Sequence, residues 1–258
     1  MDLIYYEMAK TATKYINRDI SWLSFNARVL QEAADPSVPL IERLKFLGIF
    51  SSNLDEFFRV RIATIKRVVD LKRKSKSIDV EQAKAILGQV KDIVLRQQQN
   101  FDEIYEQIKK QLIEEGIEIT EESQLTSNEL AEVTDYFTDS VAPRIFPIVI
   151  SSMRPFPNLN DGQIYLAVKL KGKNMKVNYA IVNVPSHVLS RFYILKHSQG
   201  LNRVLLLDDV IRCNLLNLFK STNALEVEAY TIKLSRDAEL DLEESDDLSM
   251  VEKVAKSV

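Results

Sequence analysis

The sequence predicts an α+β protein of more than one domain. An antiparallel helical bundle is expected over residues 1–116, and a mixed α/β domain with a mainly antiparallel sheet over residues 117–258. Three observations carry this. Apolar residues recur at helical spacing up to about residue 115. After Gly116 the pattern changes to alternating and β-branched runs. The 258 residues are 46% apolar, enough for two ordinary cores, so a folded chain is expected rather than a disordered one.

The chain reads as helical from residue 18, with breaks at Asp35-Pro36 to Pro39 and at Ser75 to Asp79. Leu40, Ile41, Leu44 and Leu47 fall on one helical face. So do Ile86, Val90, Ile93, Val94, Phe101, Ile104, Tyr105 and Ile108. The last helix is expected from Asp79, as N-cap, to Glu115, with Gly116 stopping it in the left-handed conformation. Gly48 and the polar Ser51-Ser52-Asn53 stretch read as a corner between two amphipathic helices. Such a corner would put an amide side chain and free backbone N–H groups at a helix start.

In the second half, Ile117–Thr120 reads as a short strand or an extended linker. Ser127–Val141 reads as a helix with Ser127 as N-cap, and Pro143 and Pro147 then interrupt the chain. Strands are expected at Ile164–Leu170, Val177–Val184, Phe192–Leu195, Arg203–Leu207 and Ala224–Lys233. Lys171-Gly172-Lys173-Asn174 reads as a hairpin turn between the first two. A helix over Asp208–Lys220 is expected to be capped near Asp208 or Asp209.

Charge and composition exclude several classes. The net charge of −3 argues against a general nucleic-acid binder. The basic cluster Lys66, Arg67, Lys72, Arg73, Lys74 and Lys76 reads first as a solvated helix end, and second as a polyanion contact. The acidic run Asp237–Asp247 has no glycine-containing calcium-loop spacing and reads as a charged helix start or linker. No apolar run approaches the ~20 residues that span a bilayer. The start does not look like a secretory signal, and Cys213 is the single cysteine, so the cytoplasm is the expected compartment. There is no Gly-x-x-x-x-Gly-Lys-Ser/Thr loop, and one cysteine with two histidines does not make a standard zinc site.

The side chains with potential chemistry each have an ordinary alternative. Trp22, Phe25, Phe46, Phe50, Phe57 and Phe58 suit stacking on a base, but at helical spacing they read as core. Arg28, Arg43, Arg59 and Arg61 suit phosphate oxygens, but Glu32, Glu42, Asp55 and Glu56 on neighbouring turns are the expected partners. His187 and His197 read as surface histidines. Asn53 suits an adenine edge, since an amide offers a donor and an acceptor together. By the residues alone the Ser52-to-Asp55 spacing favours helix capping.

Several words in order, at consistent spacing, resemble one family. They are Ser21-Trp-Leu-Ser-Phe-Asn26, Val29-Leu-Gln-Glu-Ala33, Pro39-Leu-Ile-Glu-Arg43, Leu47-Gly-Ile49 and Ser52-Asn-Leu-Asp-Glu-Phe57. Val184-Pro-Ser186, Arg191-Phe192, Leu207-Asp208 and Ser235-Arg-Asp-Ala-Glu239 follow. From Tyr15 onward the chain resembles the amino-terminal and head domains of the long-chain polyphosphate kinases, bacterial enzymes that polymerise the terminal phosphate of ATP. The resemblance implies reversible transfer of the ATP γ-phosphate to polyphosphate through a phosphohistidine. It implies ATP or ADP and polyphosphate as ligands, with no specific nucleic acid. It places Asn53 against the nucleotide and a dimer surface on the head domain. The phosphorylated histidine and the Mg2+ ligands belong to two further catalytic domains in that family, and neither His187 nor His197 lies in a matching word. The chain alone is therefore expected to be inactive. Cytoplasmic location, or peripheral attachment to the inner membrane surface, is implied. The alternative is a free-standing interaction or regulatory module that dimerises or binds polyanions without catalysis.

Overall fold

The computed structural model describes residues 15–71, 78–150, 155–172, 175–196 and 200–236. The chain divides into two compact units, one comprising the residues up to Ile108 and one comprising Lys109–Arg236. Lys72, Arg73, Lys74 and Lys76, Lys173-Asn174, His197 and the acidic run from Asp237 lie outside the described residues.

The first unit is helical. Helix α1 (Arg18–Ala34) is capped by Asn17, whose Oδ1 accepts from the N–H of Asp19 at 2.9 Å and of Ile20 at 3.3 Å. It ends at Asp35, before Pro36, as expected. Helix α2 (Leu40–Phe57) starts after Pro39. A π-turn at Phe58–Ile62 leads without a break into α3 (Ala63–Leu71). Helix α4 (Ile78–Glu114) is 37 residues long, and Gly116 stops it at φ +80° with its N–H on the Ile113 carbonyl. The C-terminal end lies within a residue of the expected one, whereas Ile78 is already helical, so Asp79 lies inside the helix and is not its N-cap.

The expected corner at Ser51-Ser52-Asn53 does not exist. These residues sit inside α2, so no helix begins there and no backbone N–H group is free. The magnitudes explain why. A glycine inside a helix costs about 1 kcal/mol relative to alanine. Helical geometry buries Leu47, Phe50, Leu54 and Phe57 in one stripe, each stabilising by about 1.5–3 kcal/mol. Gly48, Ser51 and Ser52 fall on the exposed side.

The second unit carries two sheets. The four-stranded sheet is antiparallel in the order β2 (Ile148–Ile150), β4 (Met175–Asn183), β3 (Ile164–Gly172), β7 (Glu226–Lys233). In the three-stranded sheet β6 (Asn202–Leu206) lies parallel to β1 (Ile117–Thr120) and antiparallel to β5 (Phe192–Ile194). β2 is an addition to the expected strands, because three residues after Pro147 show no period. The parallel pairing is a second addition, since it joins segments too far apart for any local pattern to report. Leu166, Val168, Leu170, Ala180 and Val182 cover one face of the larger sheet. They pack with Val133, Phe137 and Val141 and with Leu207, Val210 and Ile211.

Two helix details differ from expectation. Helix α5 (Ser127–Tyr136) is capped by Thr126, not Ser127. The Thr126 hydroxyl accepts from the Glu129 N–H, and the Glu129 carboxylate accepts from the Thr126 N–H at 2.8 Å. The helix over Asp208–Lys220 is two pieces, α6 (Leu207–Cys213) and α7 (Leu215–Leu218), followed by a 3-10 turn. Buried Asn214 breaks it, with its Nδ2 on the Val210 carbonyl at 3.0 Å. Asp208 is no cap: it faces Arg191 at 2.9 Å and accepts from the Thr231 hydroxyl at 2.9 Å.

Candidate functional site

Helices α1 and α2 run antiparallel, and their seam carries a ladder of contacts. Asp19 binds Arg61 at 2.8 and 3.3 Å. One turn on, Trp22 stacks on Phe57 at 4.6 Å between ring centroids and 8° between planes. At the next turn Asn26 meets Asn53 and Phe50, and at the far end Arg43 Nε donates to the Ala33 carbonyl at 2.8 Å. The partner steps back along α2 as α1 advances by three or four residues, which is the spacing of one helix face.

Asn53 is at the middle of this seam and half-buried. Its Nδ2 donates to Asn26 Oδ1 at 3.0 Å, and Asn26 Nδ2 donates to the Phe50 carbonyl at 3.3 Å. Asn26 is completely buried. The capping alternative for Asn53 is thereby removed, because its side chain reaches across to α1 from inside a helix. Sequence reasoning did not single out Asn26, the residue that holds Asn53. Its signal was an amide on the buried stripe of an amphipathic helix, at Leu23, Asn26, Leu30, Ala33, since a buried amide needs partners.

The other candidates divide. Phe50 and Phe57 are core, as expected, while Phe25 and Phe58 are exposed. Arg59 pairs with Glu56 at 3.1 Å, as expected. Arg61 pairs with Asp19, a partner no local spacing suggests, and this bond raises the pKa of its guanidinium. Arg43 is buried and Arg28 exposed. A small recess of about 340 Å3 lies beside the seam, lined by Phe50, Ser51, Leu54, Gln98, Phe101 and Asp102.

The second unit holds a larger groove of about 860 Å3 between α5 and the end of β5. Tyr136 and Tyr193 stack there at 4.3 Å, and Glu132 accepts from the Tyr193 hydroxyl at 2.8 Å and the Lys196 N–H at 2.9 Å. Burial, then the Glu132 bond, holds the Tyr193 phenol far above its usual pKa. Glu132, Asp135 and Asp139 make this groove acidic and unsuited to phosphate. His187 is exposed in the turn after Pro185-Ser186. Cys213 is half-buried, and burial pushes its thiol up to about 12, so it is no nucleophile. Among the described residues no group of three or more His, Cys, Asp or Glu side chains is placed to hold a metal ion, so none is assigned to magnesium.

One carboxyl titrates near neutrality. Burial first, then the Asp208 charge and the Glu122 side chain, push Asp209 up to about 7. Arg212 Nε lies 3.4 Å from Asp209 and 3.3 Å from Glu122, so one guanidinium nitrogen serves two acids. A raised folded-state value means that the folded form binds this proton more tightly than the unfolded chain. The favourable contribution is complete below about pH 4 and is lost as pH rises to about 7. Asp209→Asn should remove that slope and stabilise the protein at pH 8 by on the order of 2 kcal/mol. Urea titrations from pH 5 to 8 check this; parallel wild-type and variant curves would refute it.

Two family models match the chain: polyphosphate kinase N-terminal domain over residues 15–120 and polyphosphate kinase middle domain over residues 128–258. A polyphosphate kinase of Vibrio cholerae is 36% identical over 248 residues, covering 95% of this chain and 35% of the relative. One of Escherichia coli K12 is also 36% identical over 248 residues, covering 95% and 36%. The crystal structure of polyphosphate kinase from Porphyromonas gingivalis superposes with a TM-score of 0.77 at 36% identity, over 89% of this chain and 34% of that one. The chain thus spans about a third of the length of the relatives that it matches.

Proposed function

The chain belongs to the polyphosphate kinase family, and on that premise we propose that it is the nucleotide-contacting and self-associating front portion of an enzyme that reversibly transfers the ATP γ-phosphate to polyphosphate through a phosphohistidine. The observation that carries the nucleotide part is the state of Asn53. Its amide is held on one side by Asn26, while its Oδ1 accepts no hydrogen bond among the described residues. An amide fixed at one end and open at the other, one turn from the Trp22–Phe57 stack, suits the edge of an adenine ring. Phosphoryl transfer itself is not assigned to these residues. It requires charge neutralisation and a positioned nucleophile, whereas Arg59 and Arg61 are paired and His187 sits in an exposed turn.

Labelled ATP with magnesium ions tests this on the chain itself. The expected result is reversible binding with no stable label on protein. Asn53→Ala should weaken binding by about 0.5–1.5 kcal/mol, two- to twelvefold, with the unfolding midpoint nearly unchanged. A lowered midpoint with unchanged affinity would show that Asn53 only joins α1 to α2. Covalent label on His187 or His197 would overturn the division of labour.

The self-associating part is assigned to the second unit. The face of the four-stranded sheet away from its main core carries the cross-strand row Ile150–Tyr179–Lys169–Glu228 and the row Ile148–Ile181–Ala167–Tyr230. Tyr179 and Tyr230 are exposed by 53% and 66%, and Ile148 is exposed too. The exposed apolar side chains Ile148, Tyr179 and Tyr230, left beside the buried Leu159–Tyr165–Ile181 cluster and the Lys169–Glu228 ion pair, fit a second copy of the chain. Light scattering should give a dimer for the wild type and a monomer for Tyr179→Asp. A dimer that survives the substitution would place the contact elsewhere.

A further inference from the structure

The edge of a sheet presents backbone N–H and C=O groups to which a further strand can add. β5 is such an edge, since it pairs with β6 on one side only. The Leu195 N–H donates to the Arg203 carbonyl and the Leu207 N–H to the Arg191 carbonyl, both at 2.9 Å. An antiparallel ladder alternates, so the backbone groups of Arg191, Tyr193 and Leu195 face β6, and those of Phe192, Ile194 and Lys196 face outward. At two of these outward positions the chain supplies a partner itself. The exposed Ser190 hydroxyl accepts from the Phe192 N–H at 3.2 Å and donates to the Phe192 carbonyl at 2.8 Å. Glu132 of α5 accepts from the Lys196 N–H at 2.9 Å. Ile194 has no partner for its N–H or its carbonyl among the described residues. Its side chain and that of Phe192 share one face of the strand and are exposed by 62% and 54%.

Tyr193 points the other way, into the groove along α5. Glu132, Asp135 and Asp139 line that groove at spacings of three and four residues, hence on one side of the helix, against one lysine, Lys196. Glu132 is engaged by the Tyr193 hydroxyl and the Lys196 N–H, whereas Asp135 and Asp139 form no ion pair among the described residues. Carboxylates beside two stacked phenol rings suit a guanidinium or an ammonium group. A strand laid along β5 alternates as β5 does. Its residues opposite Phe192 and Ile194 meet apolar side chains, and the residue between them reaches the groove. We propose that the outer edge of β5 docks an extended protein segment with an arginine or lysine between apolar residues, by strand addition at Ile194 with the basic side chain in the acidic groove. Ser190 leaves Phe192 by rotation about χ1, and Glu132 at Lys196 sets where the added strand ends.

The probe is the peptide acetyl-Val-Arg-Val-Arg-Val-amide, titrated into the full chain by isothermal calorimetry at low salt. It should bind, and its counterpart with glutamate in place of arginine should not. Replacing both Asp135→Asn and Asp139→Asn should weaken binding about three- to tenfold, the value of two exposed ion pairs. Both positions are exposed, so the fold should be kept. The valines of the bound peptide turn their N–H groups towards β5, so the same peptide N-methylated on its valines should lose binding. This arm uses the wild-type chain and does not depend on the folding of a variant. Equal binding of the arginine and glutamate peptides, an unchanged affinity in the double variant, or undiminished binding of the methylated peptide overturns the proposal. No binding at about 1 mM peptide, a concentration that detects even a weak site, overturns it too. A wild-type dimer that Ile194→Pro turns into a monomer would assign this edge to a second copy of the chain instead, since proline removes the outward N–H.

Discussion

Replacing Arg203 by methionine should cost the second unit about 3–5 kcal/mol at pH 7, the price of leaving a buried carboxylate without its partner. Arg203, on the central strand β6 of the three-stranded sheet, is a hub of polar contacts. Its Nε binds Glu118 at 2.9 Å, and its NH2 group donates to the Thr120 hydroxyl at 2.8 Å and the Gln124 carbonyl at 3.0 Å. Its remaining NH1 group meets the Glu129 carboxylate, which is only 4% exposed. That carboxylate also closes the capping box of α5. One side chain from β6 thus ties together β1, the 3-10 turn after it and the start of α5. Burial pushes the Glu129 carboxyl up, but the bonds from Arg203 and Thr126 more than offset this and hold it below the usual carboxylate range. A depressed folded-state value contributes stability that is present above the unfolded value of about 4.3 and is lost as pH falls through the folded one. The gap between variant and wild type should therefore narrow as pH falls below about 4. Urea unfolding at pH 7 and about pH 3, followed by far-ultraviolet circular dichroism, measures it. A loss below 1 kcal/mol at pH 7 would sink the argument. Lysine should rescue poorly, since a point charge cannot serve four acceptors in a fork.

In the helical unit the largest effect is expected from Phe50→Ala, about 3–5 kcal/mol. The Phe50 ring is 2% exposed and lies 5.9 Å from the Phe101 ring of α4. Its carbonyl holds Asn26, so this residue supports both the core and the Asn26–Asn53 pair. Truncation removes a full ring and opens the hole into the recess that Phe50 already lines, where little can collapse to refill it. Phe50→Leu keeps most of the volume and should cost less than about 1.5 kcal/mol. Trp22 fluorescence in urea reports on this unit, because the tryptophan stacks on Phe57 in the same seam. An unmoved midpoint for the alanine variant would show that Phe50 carries far less of the packing than its burial implies.

Residue patterns along the chain were sufficient for the order of elements and for most of their ends. The stop at Gly116, the break at Pro36 to Pro39 and strands β3, β4, β5, β6 and β7 follow from backbone restrictions and from periods of 3.6 and 2. These are properties of a few neighbouring residues, so a sequence reports them directly. The quoted words and their spacing likewise pointed to the family that the comparisons show.

Tertiary structure alone decided where those rules compete with burial. Ser51-Ser52-Asn53 is a corner by composition, yet it stays helical because Leu47, Phe50, Leu54 and Phe57 are buried only if the helix continues. Asp208 is a cap by position, yet it turns inward because Arg191 and Thr231, distant in sequence, meet it there. Asn26 looks like one more polar residue until α2 folds back and places the Phe50 carbonyl and Asn53 on either side of it. Local sequence sets which conformations are cheap, at about 1 kcal/mol per residue. The choice among them falls to contacts between distant segments, which bury whole side chains at several times that value and pair polar groups that no local pattern brings together.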